Sequence, residues 1–155
     1  MSTTFLKGTG YGDDDGFKIK MGGQIRWSFP VLSGAGTWVR GDVLELLADG
    51  TVDVDSGAAN GRLKGLAIER RSPIDGRPEQ DETKGSGFAS LLLDESVFVT
   101  EAVESGVTIS PNDSVYTNGS GKLTNAAAGP KLGKALSRAT GPLQALTMFY
   151  SNGSV

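Results

Sequence analysis

The amino-acid sequence predicts an all-β fold, a small β-barrel or sandwich of short antiparallel strands. Apolar residues alternate with polar ones in short runs, the period of a half-buried strand. Gly, Asn, Asp and Pro separate those runs with turn chemistry. No window supports a long amphipathic helix: Ala126 to Ala128 could nucleate one turn, and Gly129 and Pro130 stop it at once.

The elements follow in order. Residues 1–23 are rich in Gly, Thr and Asp and broken by Phe5, Tyr11 and Phe17. They read as a flexible N-terminal arm, either plainly disordered or ordering only against a partner. Residues 24–155 then form one β-barrel domain. Ile25, Trp27, Phe29 and Val31 alternate along a first strand, which Pro30 pushes toward an edge or a bend. Val43 to Leu47 and Val52 to Val54 are the arms of a hairpin turned at Ala48-Asp49-Gly50. GAANG at 57–61 is the next turn, and LKGLAIER at 63–70 the next strand. Residues 71–87, with two prolines, mixed charges and almost nothing apolar, read as a long exposed loop, a solvated insertion or a functional one. FASLLLDESVFVTEAV resumes the strand pattern. Short strands follow at Val107 and Ile109, Val115, Leu123, Leu132 to Leu136 and Leu143 to Tyr150.

The chain has 155 residues, enough for one domain with a real core. It has 23 glycines and neither cysteine nor histidine. That removes Ser-His-Asp and Cys-His catalysis, zinc sites of the usual ligands, common haem ligands and any disulfide framework. No cofactor is expected. Missing cysteines suit synthesis in a reducing cytoplasm. Net charge is -3 and the basic residues are scattered, which argues against nucleic acid as a partner. The opening residues lack the apolar core of a signal peptide and no window reaches the length of a membrane span, so the expectation is a soluble, non-exported protein with no membrane partner.

One phrase is written twice. GDVLELLADGTVDVDSGAANGRLKGLAIER at 41–70 shares a frame with NDSVYTNGSGKLTNAAAGPKLGKALSR at 112–138. Asp42 matches Asp113, Gly50 matches Gly119, and Gly65, Ala67 and Arg70 match Gly133, Ala135 and Arg138. The second copy is three residues shorter. This is a strand, tight turn, strand, small-residue turn, strand unit used twice. A glycine inside a strand marks a bend, a bulge or a close backbone approach, and the alanine two residues on faces a crowded interior. Arg70 and Arg138 would end equivalent strands on one rim, as contacts to an acidic partner or as solvated strand ends.

The second copy resembles the small β-barrel decoration (cement) proteins of tailed-bacteriophage capsids. The likeness lies in Asn112 to Tyr116, Gly121 to Thr124, Ala126 to Gly129 and Leu132 to Leu136, with the alternating strand LQALTMFY after them, and extends over about residues 30–150. Where the family pattern has glycine before aspartate, this copy has Asn112, while the first keeps Gly41-Asp42. The resemblance implies a non-enzymatic protein on the outer capsid surface of a virion, made in the host cytoplasm. It also implies a homotrimer that bridges neighbouring subunits of the major capsid protein. Packaged DNA pulls capsomers apart, and a clamp across their junction sets its binding free energy against separation. Avidity over a repeating lattice makes many weak contacts sufficient. On that reading Phe5, Tyr11 and Phe17 anchor the arm, and Trp38 and the 71–87 loop, with Arg71 and Arg77, add contacts.

Two other functions compete. A carbohydrate- or receptor-binding β-module of a head fibre or tail accessory protein would need exposed aromatics converging on a groove. A carboxylate enzyme would centre on Asp13-Asp14-Asp15, adjacent acids in a Gly-rich arm without the spacing of a calcium loop. GTGYG at 8–12 lacks the flanking strand and helix of a phosphate loop. Asn118-Gly119-Ser120 and Asn152-Gly153-Ser154 fit a glycosylation pattern, but Asn-Gly is first a turn signal.

Overall fold

Strand pairing follows the turns. A computed structural model describes residues 16–57, 62–71, 83, 87–127, 130–142 and 144–151. Phe5, Tyr11, Arg77, the Asp13 to Asp15 run and most of the 71–87 loop lie outside the described residues. Among the described residues there are eleven strands: β1 (Lys18–Pro30), β2 (Val43–Leu46), β3 (Val52–Val54), β4 (Lys64–Ala67), β5 (Phe88–Thr100), β6 (Thr108–Ile109), β7 (Ser114–Thr117), β8 (Leu123–Thr124), β9 (Lys131–Ala135), β10 (Ala139–Thr140) and β11 (Leu146–Tyr150). Among the described residues there is no helix.

Nine strands form one curled antiparallel sheet, a half-barrel, in the order β3-β2-β4-β5-β11-β9-β7-β8, with β1 on the other edge of β5. β6 and β10 pair separately. The order reads the same from both ends because the repeated phrase is a repeated structure: β2-β3-β4 with β5, then β7-β8-β9 with β11. Leu44 opposes Gly65 as Val115 opposes Gly133. Ala67 opposes Leu91 as Ala135 opposes Met148.

Side chains enforce the equivalence. The Val39 N–H donates to Asp42 Oδ2 (3.1 Å), and the Ser110 N–H donates to Asp113 Oδ2 (2.9 Å), the same three-residue turn lock. Gly41 and Asn112 both hold a left-handed φ, +89° and +75°. Asn is the residue that replaces glycine there at least cost, which explains how the second copy departs from Gly-Asp without losing the turn. The three-residue difference in length falls between the second and third strands of the unit.

The two halves differ in their turns. The Leu47 N–H on Thr51 O and the Asn118 N–H on Lys122 O make Gly121, not the expected Gly119, the counterpart of Gly50; Gly50 faces open space, while Gly119 meets the backbone of Ser56 and Gly57. The β7–β8 turn therefore folds onto the first half, with Gly121 O accepting the Val43 N–H (2.8 Å) and Lys122 Nζ on Asp42 Oδ1 (2.6 Å). This contact closes the curl.

Inside it lies the main core: Val43, Leu66, Leu92, Phe98, Ile109, Val115, Leu123, Leu132, Leu146, Met148 and Tyr150, with the Phe17 ring tilted against Phe98, centroids 5.4 Å apart. A second cluster, Trp38, Leu44, Val52, Ala67, Ala89 and Leu91, covers the outside of the first half.

Two expectations are corrected here. The arm does not run to residue 23: Phe17 is buried and β1 starts at Lys18, since an aromatic that can join the core gains more there than in solvent. Ile25 and Trp27 are not core positions but are 49% and 67% exposed. The second cluster covers this face only as far as Phe29 and Val31, so alternation on β1 outruns the layer that would bury it.

Candidate functional site

Register decides which side chains share a surface. On β5, Leu92 and Phe98 point into the main core, so Leu91 and Val97 lie on the outer face. Directly opposed residues of antiparallel strands project to the same side. Met21, Val97, Phe149 and Lys134 therefore form one row across β1, β5, β11 and β9. Lys18, Val99 and Thr147 form the next row, and the Leu136 N–H donates to Thr147 O (2.8 Å) beside it. Met21 is 68% exposed, Leu136 52% and Phe149 42%. Trp27 opposes Leu91 and extends the same outer face along β1. The result is an apolar surface flanked by Lys18 and Lys134, both exposed. Contiguous apolar surface of this kind is what proteins use to meet other proteins.

The other expected contact residues sit elsewhere. Trp38 is buried, its Nε1–H donates to Glu69 O (2.9 Å), and the Arg71 guanidinium lies 6.0 Å from its ring centre. It is a packing residue of the second cluster, not an exposed contact. Arg70 is buried and Arg138 exposed, so they do not form a matched rim pair. Past the shared strand the two copies diverge: Arg71 bridges to Trp38, while Ala139 and Thr140 pair with β6.

An open cleft of about 440 Å³ is lined by Arg26, Trp27, Ser28, Ile68, Glu69 and Ser90. Ser28 and Ser90 share a hydrogen bond (2.9 Å), and the Ser90 N–H donates to Glu69 Oε1 (2.5 Å). By strand alternation the Trp27 side chain belongs to the opposite face from Ser28.

The seam between the halves carries a buried charge cluster that alternation does not reveal. Lys64 Nζ sits 2.5 Å from Glu45 Oε1 and 2.6 Å from Asp55 Oδ1, with all three side chains buried. Arg62 reaches Glu45 Oε2 (2.6 Å), and Ser56 donates to Oε1 through both its N–H and its hydroxyl. Asp55 Oδ2 accepts the Thr117 hydroxyl from the second half and the Gly57 N–H (2.9 Å). Burial by itself would raise the Glu45 carboxyl. The hydrogen bonds from Lys64, Ser56 and Arg62 together outweigh it and hold Glu45 at about 2, against an ordinary 4.5.

That shift has a sign. A carboxyl depressed in the folded state stabilises the fold above its unfolded pKa, and the gain is lost as pH falls from about 4.5 through about 2. At ~1.4 kcal/mol per unit the loss is about 3 kcal/mol. Urea unfolding between these pH values is expected to show a falling midpoint in the parent and a flatter profile in Glu45→Gln. Parallel profiles would mean that Glu45 carries no such shift.

Among the described residues no group of three or more acids gathers as a metal site, and no helix is long and apolar enough to cross a membrane. Comparison with protein-family models and with curated proteins finds no match to this chain.

Proposed function

We propose that this chain is a virion structural protein that decorates the outer surface of a tailed-bacteriophage capsid and stabilises the shell by bridging neighbouring major capsid protein subunits. The outer apolar face built from Met21, Val97, Phe149 and Leu136 carries the reading, because it is a ready contact surface on a rigid sheet. The repeat supports it: the phrase resembling the decoration proteins is the unit from which both halves are built. Assembly as a trimer over a local three-fold position suits a clamp that must touch several subunits at once.

The test is the copy number of this protein per capsid subunit in purified particles, by quantitative mass spectrometry. A ratio near one to one is expected. Met21→Glu with Phe149→Glu should reduce attachment at least ~10-fold while leaving the circular dichroism spectrum unchanged, since both side chains are exposed. A handful of copies per particle would assign a vertex, fibre or tail role, and complete absence would overturn the capsid reading.

A further inference from the structure

The buried cluster of Glu45, Asp55 and Lys64 holds an amine against a carboxyl group. Glu45 and Lys64 stand opposite each other on β2 and β4, and Asp55 follows directly on β3. Their side chains are no more than 3% exposed. The fold does not need this set: where Glu45 opposes Lys64, the second half of the repeat sets Tyr116 against Lys131.

The two oxygens of Asp55 are held differently. Oδ2 accepts the Thr117 hydroxyl and the Gly57 N–H (2.9 Å). Oδ1 lies 2.6 Å from Lys64 Nζ, yet it accepts no hydrogen bond among the described residues. The ammonium thus touches Oδ1 off the direction that a hydrogen bond needs. The carboxyl carbon is one bond further on, within about 4 Å of the amine nitrogen. Nζ also lies 2.5 Å from Glu45 Oε1, a base in contact with the same amine.

We propose that Lys64 and Asp55 condense into an isopeptide bond, with Glu45 carrying the protons. A proton passes from the ammonium to Asp55 Oδ1 by way of Glu45, which leaves a neutral amine beside a neutral acid. The amine attacks Asp55 Cγ, and the negative charge of the tetrahedral intermediate collects on Oδ2, where Thr117 and Gly57 already donate. Glu45 then moves a second proton from the nitrogen to Oδ1. The Cγ–Oδ1 bond breaks, one water leaves and an Nζ–Cγ amide remains. Nothing is oxidised or reduced.

Burial favours the product, because a neutral amide is easier to hold in the interior than two charges. Fixed contact replaces a chance encounter between the reacting groups. Burial also raises the Glu45 carboxyl, and the Lys64 contact is the first of those that lower it. Once the ammonium has given up its proton, that contact no longer holds Glu45 down, and it can pass the proton on. The ion-paired cluster is the state before this step, so its stability is measured on chain of unreduced mass. The bond needs no capsid, and its test is independent of the decoration reading.

The intact chain is incubated at neutral pH, denatured and weighed by mass spectrometry, then digested with trypsin. The expected mass is one water below that of the sequence. The digest should hold residues 41–62 joined to residues 63–70, because an acylated Lys64 is no longer cut and Asp55 carries the link. Glu45→Gln should form the joined peptide at least ~100-fold more slowly, and Lys64→Arg should not form it. Should either variant fail to fold, the unaltered chain decides alone. A chain that keeps its full mass overturns the bond. So does a water lost without the joined peptide, which would mark an aspartate cyclised on its own backbone. A Glu45→Gln chain that joins at the parent's rate overturns the part given to Glu45.

Discussion

Replacing Lys64 by methionine is expected to destabilise the fold by about 3–5 kcal/mol, the cost of leaving buried charge without its partner. The ammonium lies between Glu45 and Asp55, and all three side chains are buried, so its removal takes the cation from Asp55 and leaves Glu45 to Arg62. Asp55 also holds the Thr117 hydroxyl, where Gly57 approaches Gly119, so the change falls at the seam between the halves. Thermal unfolding at neutral pH should fall by roughly 10–20 °C. Neutralising the cluster as a whole, in Lys64→Met/Glu45→Gln/Asp55→Asn, should recover most of that loss, because the desolvation penalty goes with the charges. A single variant that loses less than about 1 kcal/mol would show that the cluster is hydrated in solution.

Gly133→Ala is the second large effect. An added Cβ would stand 1.9 Å from Phe149 O and 2.9 Å from its carbonyl carbon, both backbone atoms of the paired strand. Nothing there can rotate away, so β9 must part from β11 in the middle of the sheet. A loss of about 3 kcal/mol or more is expected, at the upper end of overpacking costs. The equivalent Gly65→Ala meets Leu91 Cβ and Cδ2 at 2.9 Å and Leu92 O at 3.0 Å, a much smaller overlap than 1.9 Å, and should lose about 1–2 kcal/mol. Chemical denaturation of both variants checks the order. Equal losses would mean that the two halves are equally tolerant at this position.

These two glycines also show what could be read from the chain before its fold was known. Spacing alone matched Gly65 with Gly133 and Ala67 with Ala135, and both alanines are buried, Ala67 in the second cluster and Ala135 in the main core. Turn chemistry is local, so Asp42 and Asp113 announce the same turn wherever they sit. The Glu45–Lys64–Asp55 cluster gave no such signal. Glu45 reads as the polar member of an alternating strand, and its partners come from across a turn and from the start of another strand.

The sequence by itself determined the all-β class, the hairpin at β2 and β3 and the use of one unit twice, because those rest on alternation and on residues that favour one backbone conformation. Only the tertiary structure decided which faces are covered. Phe17 entered the core through Phe98, Trp38 disappeared under its own layer, Arg70 parted from Arg138, and Trp27 stayed in solvent beyond the end of the second cluster. Alternation says which side chains share a face. Whether that face meets the core, a partner or water depends on segments distant in the chain, and a strand's own residues do not encode it.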